Sequence, residues 1–245
     1  MKQLKFSAAI PVAVSMLFSV LSCNSGNDKK TEDATTTTAD TTVAKVMEPP
    51  PASKPGNVLI IQHKVANFDK WKVAYESHDS IRRSYGLANY ILGRGLTDPN
   101  MVVIMLKMAD ADKAKELTAS AEMKERMKTG GVTSVPTFTY LDVVMNDSTP
   151  IAQTARLMMT HKVKDWDAWK KEFDSHKQVR MDAGLMDRGL GYAIGDNHSV
   201  GIVFAVTDMK KAEAFLKSPD LKDKMAKAGV EGPPTAFFYN IVKKY

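Results

Sequence analysis

An internal repeat constrains the fold of this 245-residue chain more than any other feature of its sequence. When the sequence is shifted by 98 positions, residues 63–144 align with residues 161–242 without a gap, and about 27 of the 82 pairs are identical. A match at one fixed period is typical of a duplicated architecture. We therefore predict two copies of one fold, in residues 57–145 and 154–245, joined by a linker of residues 146–153.

The pattern within each copy predicts the element order β-α-β-β-α-β. Strands are indicated by alternating apolar residues, helix starts by Asn or Asp at the N-cap, and helix ends by Gly. In the first copy the predicted elements are a strand at 58–65, a helix from Asn67 to Gly86, a hairpin of 88–96 and 101–107, a helix from Asp110 to Gly131 and a strand at 136–144. This order is that of the ferredoxin-like unit.

Both faces of the first predicted strand are apolar. Leu59, Ile61 and Val65 lie on one face, and Val58 and Ile60 lie on the other. Helices cover only one face of a ferredoxin-like sheet, so the second face needs another cover. We predict that the two copies pack sheet to sheet as one intrachain, pseudo-dimeric α+β barrel.

Three motifs resemble a known group of proteins. They are the opening H-K-V-x-x-[FW]-D-x-W-K, the following H-x-x-x-R-x-x-x-G and the close A-G-V-x-G-x-P. Together they resemble the dimeric α+β barrel superfamily, particularly the small domains grouped with antibiotic-biosynthesis monooxygenases, over residues 57–245. The resemblance implies the fold. The superfamily includes cofactor-free monooxygenases, haem-degrading proteins and haem-binding proteins, so the resemblance implies no single chemistry.

Polar residues recur inside the apolar stripe of the first helix in both copies. On a helical wheel, His78 and Arg82 fall within the arc that carries Phe68 and Trp71. A buried imidazole or guanidinium needs a hydrogen-bond partner or a ligand. A further histidine lies on the first strand of each copy. The candidate ligand-binding residues are therefore His63, Trp71, His78, Arg82, His161, Trp169, His176 and Arg180.

Two interpretations of these residues remain open. In the first they line a small-molecule pocket, where His78 or His63 acts as a base and Arg82 holds an anionic oxygen. The family resemblance then implies substrate deprotonation before reaction with dioxygen. In the second, His78 and Arg82 bind strand carbonyls or acidic neighbours, and Trp71 belongs to the core. A cavity of about 300 Å³ or more beside them would favour the first interpretation.

Several other classes of function are disfavoured. No carboxylate or Cys stands at ligand spacing beside the histidines, so we predict no metal site. Haem ligation by a histidine is chemically feasible, but we predict no cofactor. The net charge is only +6, without a basic stripe or a run of like charges, so we predict no nucleic-acid partner.

The N-terminus has the anatomy of an export signal. Lysines precede an uncharged, mostly apolar segment that ends in Val20-Leu21-Ser22-Cys23, which resembles the lipobox of bacterial lipoproteins. We predict that residues 1–22 form the signal peptide and that Cys23, the only cysteine, carries a lipid anchor such as palmitate. Residues 23–56 are rich in Thr and Pro and are predicted to form a flexible tether.

Two functional hypotheses follow from these patterns. The first is a lipoprotein of the bacterial cell envelope, outside the cytoplasm, that binds an aromatic or quinone-like molecule between helices and sheet, with oxygenase chemistry as an extension. The second is a non-enzymatic structural or protein-interaction module of the envelope. The sequence leaves open whether the protein is an enzyme.

Overall fold

The computed structural model describes residues 56–245, so the predicted signal peptide, Cys23 and all but the last residue of the predicted tether lie outside the described residues. The strands are β1 (Asn57–Lys64), β2 (Leu87–Gly95), β3 (Met101–Met108), β4 (Thr137–Asn146), β5 (Ala155–Val163), β6 (Leu185–Ala193), β7 (Asp196–Val206) and β8 (Val230–Lys244). The helices are α1 (Phe68–Ser77), α2 (Asp79–Ser84), α3 (Ala111–Ala119), α4 (Ala121–Thr129), α5 (Trp166–Ser175), α6 (Lys177–Asp182), α7 (Met209–Leu216) and α8 (Pro219–Lys227).

Side-chain caps start the helices where the sequence predicts them. The Oδ1 atom of Asn67 accepts a hydrogen bond from the N–H of Lys70 at 3.0 Å, and Asp165 caps α5 in the same way. Asp110 and Asp208 cap α3 and α7. Each cap satisfies N–H groups that the first helical turn would otherwise leave without a partner. The four predicted N-caps are confirmed.

Each predicted long helix is in fact two helices. In the first copy the breaks fall at His78 and Ser120, where the backbone leaves the helical conformation. The carbonyl of Tyr75 accepts a hydrogen bond from the guanidinium of Arg82 at 2.8 Å, whereas a continuous helix would use it for the N–H of residue 79. Ser120 instead caps α4 through the N–H of Met123. The prediction of a single helix in each of these segments was wrong. Within residues 56–245, no helix has the length and apolar character needed to cross a bilayer.

The eight strands form one closed barrel in the order β1-β3-β2-β8-β5-β7-β6-β4. Within each copy the order is that of a ferredoxin-like sheet, β4-β1-β3-β2 and β8-β5-β7-β6. Two antiparallel pairings, β2 with β8 and β4 with β6, join the copies. The predicted fold, two tandem ferredoxin-like repeats in one intrachain α+β barrel, is confirmed.

The barrel wall separates two kinds of core. Leu59 and Ile61 face outward into a cluster shared with the helices of the first copy, and an equivalent cluster serves the second copy. Ile60 faces inward, where it packs with Val103, Met158 and other residues from both copies. The alternation predicted for the first strand therefore places one face under the helices and the other inside the barrel.

Candidate functional site

The two strand histidines lie under the helices without polar partners. His63 on β1 is 2% exposed and His161 on β5 is 8% exposed. Neither nitrogen of either ring has a hydrogen-bond partner within the described residues. Trp71 and Trp169 lie against the two imidazoles, with ring centroids 5.5 and 5.3 Å away. Desolvation lowers the pKa of both histidines from 6.5 to about 4, so both are neutral at physiological pH.

The helix histidines stand at the breaks between helices. His78 separates α1 from α2, His176 separates α5 from α6, and neither side chain caps the helix that follows it. Both residues are half-buried. Desolvation lowers the pKa of His78, and the nearby charges of Arg126 and Arg82 lower it further. A lowered pKa favours the neutral imidazole, which can accept a proton or bind a polar group.

The helix arginines hold the two helices of each pair against the sheet. Arg82 lies 4.0 Å from the ring centroid of Tyr75 and donates to Asn89 on β2 at 3.2 Å. In the second copy Arg180 forms two hydrogen bonds with the carboxylate of Asp187, at 2.8 and 2.6 Å. It also donates to the carbonyl of Phe173. The pairing with Asp187 matches the interpretation in which the arginines bind acidic neighbours, but the carbonyls that they bind belong to α1 and α5 and not to strands.

The eight predicted residues do come together, four around each of two equivalent spaces. The space beside His63, Trp71, His78 and Arg82 measures only about 60 Å³. The space beside the four residues of the second copy measures about 70 Å³. Such volumes hold a few water molecules, whereas pockets for drug-sized ligands measure about 300 to 1,000 Å³. In this structure, neither space accommodates an aromatic or quinone-like molecule.

A much larger cavity lies inside the barrel, where sequence reasoning did not place one. It measures about 620 Å³ and reaches the surface at the end of the barrel where β1 begins and β8 ends. Its walls come from both copies and are mostly apolar. The inward-facing residues of its wall include Val58, Ile60, Met105, Leu141, Met158 and Val203.

Small residues in the second copy create this space. At two positions of the cavity wall the first copy has Ile91 and Met105, while the second copy has the smaller Gly189 and Val203. Elsewhere in the barrel the second copy has the larger residues. Tyr239 and Phe237 on β8 replace Leu141 and Thr139, and the ring of Tyr239 packs directly on Gly93. The barrel interior is therefore filled on one side and hollow on the other.

The exchange of Tyr90 for Arg188 is a further difference between the copies that is visible in the sequence. These residues occupy the same position in the two copies, and both line the cavity. Arg94 and Tyr192 also occupy the same position in the two copies. Arg94 lies over the ring of Phe68 at the start of α1, and Tyr192 contacts the ring of Trp166 at the start of α5.

Within residues 56–245, no three His, Cys, Asp or Glu side chains are grouped closely enough to hold a metal ion.

No family model and no curated protein matches the chain. Among solved structures, an anthrone oxidase-like protein superposes with a TM-score of 0.54 at 13% identity, over 79% of this chain and 94% of that one. A candidate monooxygenase from Fusobacterium nucleatum superposes with a TM-score of 0.50 at 11% identity, over 76% of this chain and 92% of that one. At such low identity the similarity establishes a shared fold. A shared fold does not determine the chemistry of this chain.

Proposed function

We propose that this protein binds a small, largely apolar molecule inside its barrel. The observation that carries the proposal is the cavity of about 620 Å³, which is within the size range of ligand pockets and is open at one end. Protein interiors are normally packed as densely as organic crystals. A space of this size, walled by residues such as Ile60, Met158 and Val203, is therefore better explained by an occupant than by packing.

Binding, rather than catalysis, is the activity that the geometry supports. A general base works best when its pKa is close to the operating pH. Burial lowers the pKa of His63 and of His161 to about 4, which makes both imidazoles weak bases at neutral pH. Arg82 and Arg180 are already bonded to protein groups. The strand histidines and the helix arginines thus support the packing of helices on the sheet better than oxygenase chemistry.

Narrowing the cavity tests the proposal. Phenylnaphthylamine, a neutral apolar dye that fluoresces in apolar surroundings, serves as the probe. The double variant Gly189→Ile/Val203→Met should weaken its binding at least tenfold. These substitutions give the second copy the residues that the first copy has at the same positions. The added Cβ of residue 189 would lie 3.7 Å from the Cβ of Val203, an ordinary contact distance, and circular dichroism checks that the double variant is folded.

Ala74→Leu is the matched control. Ala74 lines the small space between helix and sheet in the first copy, so this variant narrows that space and leaves the barrel unchanged. Its affinity for the dye should equal that of the wild type. Mass spectrometry of the native protein should in addition reveal a co-purifying molecule. Absence of dye binding would favour the alternative, a structural or protein-interaction module.

We also propose that the protein is a lipoprotein of the bacterial envelope, anchored to the membrane through Cys23. Support comes from the sequence alone: the export-type segment of residues 1–22 ends at the only cysteine of the chain. A palmitate analogue fed to cells should label the wild type and not Cys23→Ala. Equal labelling of the variant would exclude this anchor.

A further inference from the structure

Positive charge surrounds the barrel cavity. Among the residues of 56–245 that line it, four are cationic, Lys107, Arg156, Arg188 and Lys244, and one is a carboxylate, Asp147. That carboxylate forms an ion pair with Arg188, whose Nη1 lies 2.9 Å from Oδ2 of Asp147. The cavity therefore keeps a net positive charge after this pairing.

Arg156 is the buried cation of this cavity that no carboxylate within residues 56–245 pairs with. It lies on β5, is 3% exposed, and donates through Nη1 to the carbonyls of Gln153 and Ala155 at 2.9 and 2.8 Å. Among residues 56–245, no carboxylate forms an ion pair with it, and its Nε and Nη2 atoms make no hydrogen bond. A buried charge without a partner is costly, so buried cations are normally paired.

Arg156 has two polar neighbours, Tyr239 and Arg188, and neither supplies a carboxylate. Tyr239 lies directly opposite Arg156 in the register of β5 and β8, and its hydroxyl is fully buried without a hydrogen-bond partner in the described residues. This hydroxyl is a donor with no acceptor. Burial and then the charge of Arg188 lower the pKa of Arg156, although a guanidinium keeps its proton. The first copy has Val58 at the position of Arg156, so the fold itself does not require the charge.

We infer that the occupant of the barrel is an apolar molecule with one anionic group, such as a carboxylate or sulfonate, and that this group pairs with Arg156. This inference rests on the proposed function. The Nε and Nη2 atoms of Arg156 supply two donors on one side of the guanidinium, the geometry that suits a carboxylate. Lys107 and Lys244 at the mouth attract an anion from solution, and the apolar walls take the remainder of the molecule.

A pair of dyes that differ in one charge tests the inference. Anilinonaphthalene sulfonate carries the same two aromatic groups as phenylnaphthylamine and adds a sulfonate. The wild type should bind the sulfonate at least tenfold more tightly than the neutral dye. Arg156→Met keeps much of the side-chain volume and removes the charge. It should abolish this preference and leave the affinity for the neutral dye unchanged.

Arg83→Met is the control variant, because Arg83 is an exposed arginine outside the barrel and should not affect either dye. Equal binding of the two dyes by the wild type would overturn the inference and leave the proposed function intact. This comparison needs no variant, so it remains decisive if Arg156→Met does not fold. Binding of neither dye, or binding that Gly189→Ile/Val203→Met does not weaken, would overturn the proposed function itself.

Discussion

Acid should destabilise this protein through the buried strand histidines, His63 and His161. In the unfolded chain both imidazoles bind a proton below about pH 6.5. In the folded protein, desolvation lowers their pKa to about 4, so they stay neutral over this interval. The unfolded state then binds more protons than the folded state, and the free energy of unfolding falls as the pH drops from about 6.5 to about 4. Below this interval the two histidines add no further loss.

The size of the effect follows from the two pKa values. A tenfold difference in proton affinity corresponds to about 1.4 kcal/mol. Lowering a pKa from 6.5 to about 4 therefore makes each histidine responsible for a loss of roughly 3 kcal/mol. The two residues lie beneath the helices of different copies, so their contributions should add to roughly 6 kcal/mol. This is a large fraction of the stability of an ordinary domain.

This loss can be measured by denaturant unfolding at about pH 7.5 and about pH 4. The wild type is compared with the double variant His63→Leu/His161→Leu. The wild type should lose roughly 6 kcal/mol more than the variant, because acidic groups affect both proteins equally. Ile61→Val is the control, because it removes a methylene from the same core and no titratable group. It should lower the free energy of unfolding by about 1 kcal/mol at both pH values. The reasoning is refuted if the double variant and the wild type lose the same stability in acid.

Three further predictions concern packing. Gly93→Ala should lower the free energy of unfolding by about 1 to 3 kcal/mol because the methyl would overlap the ring of Tyr239. Gly189→Ala, which meets no such overlap, should lower it by less than about 0.5 kcal/mol, and thermal unfolding compares the two variants. Asp187→Leu should lower the free energy of unfolding by about 3 to 5 kcal/mol because it leaves a buried guanidinium unpaired. Asp187→Asn should lower it less, since the amide oxygen can still accept a hydrogen bond from Arg180; denaturant unfolding measures both. Residues 57–145 produced alone should self-associate, because the inner face of their sheet is no longer covered by the second copy. A monomer in size-exclusion chromatography that unfolds sharply on heating would contradict a core shared by the two copies.

The fold could be predicted from the sequence because its signals are local and occur twice. The caps at Asn67 and Asp165 depend on a side chain and the backbone of the next helical turn, and the strand alternation depends on adjacent residues. The helix break at His78 was missed because it depends on the long side chain of Arg82 reaching back to a carbonyl seven residues earlier. Helix propensity alone carries no information about such a contact.

The site was harder to predict, because a cavity is a property of residues that meet only in three dimensions. The sequence correctly grouped His63 with Trp71, His78 and Arg82, yet the volume left between them depends on how closely the helices approach the sheet. The barrel cavity depends on a difference between the copies, glycine at 189 where the first copy has isoleucine, whereas the predicted site residues are ones that the two copies share.

The covalent link between the two copies has an evolutionary consequence for the cavity. In a barrel assembled from two identical subunits, any mutation appears twice, so a gain of arginine at position 156 would also place one at the position of Val58. Both positions line the same cavity, and two uncompensated cations would repel each other there. Gene fusion removes this symmetry constraint, because each half then mutates independently. A barrel with a single uncompensated buried charge can therefore evolve in a fused chain and not in a symmetric homodimer.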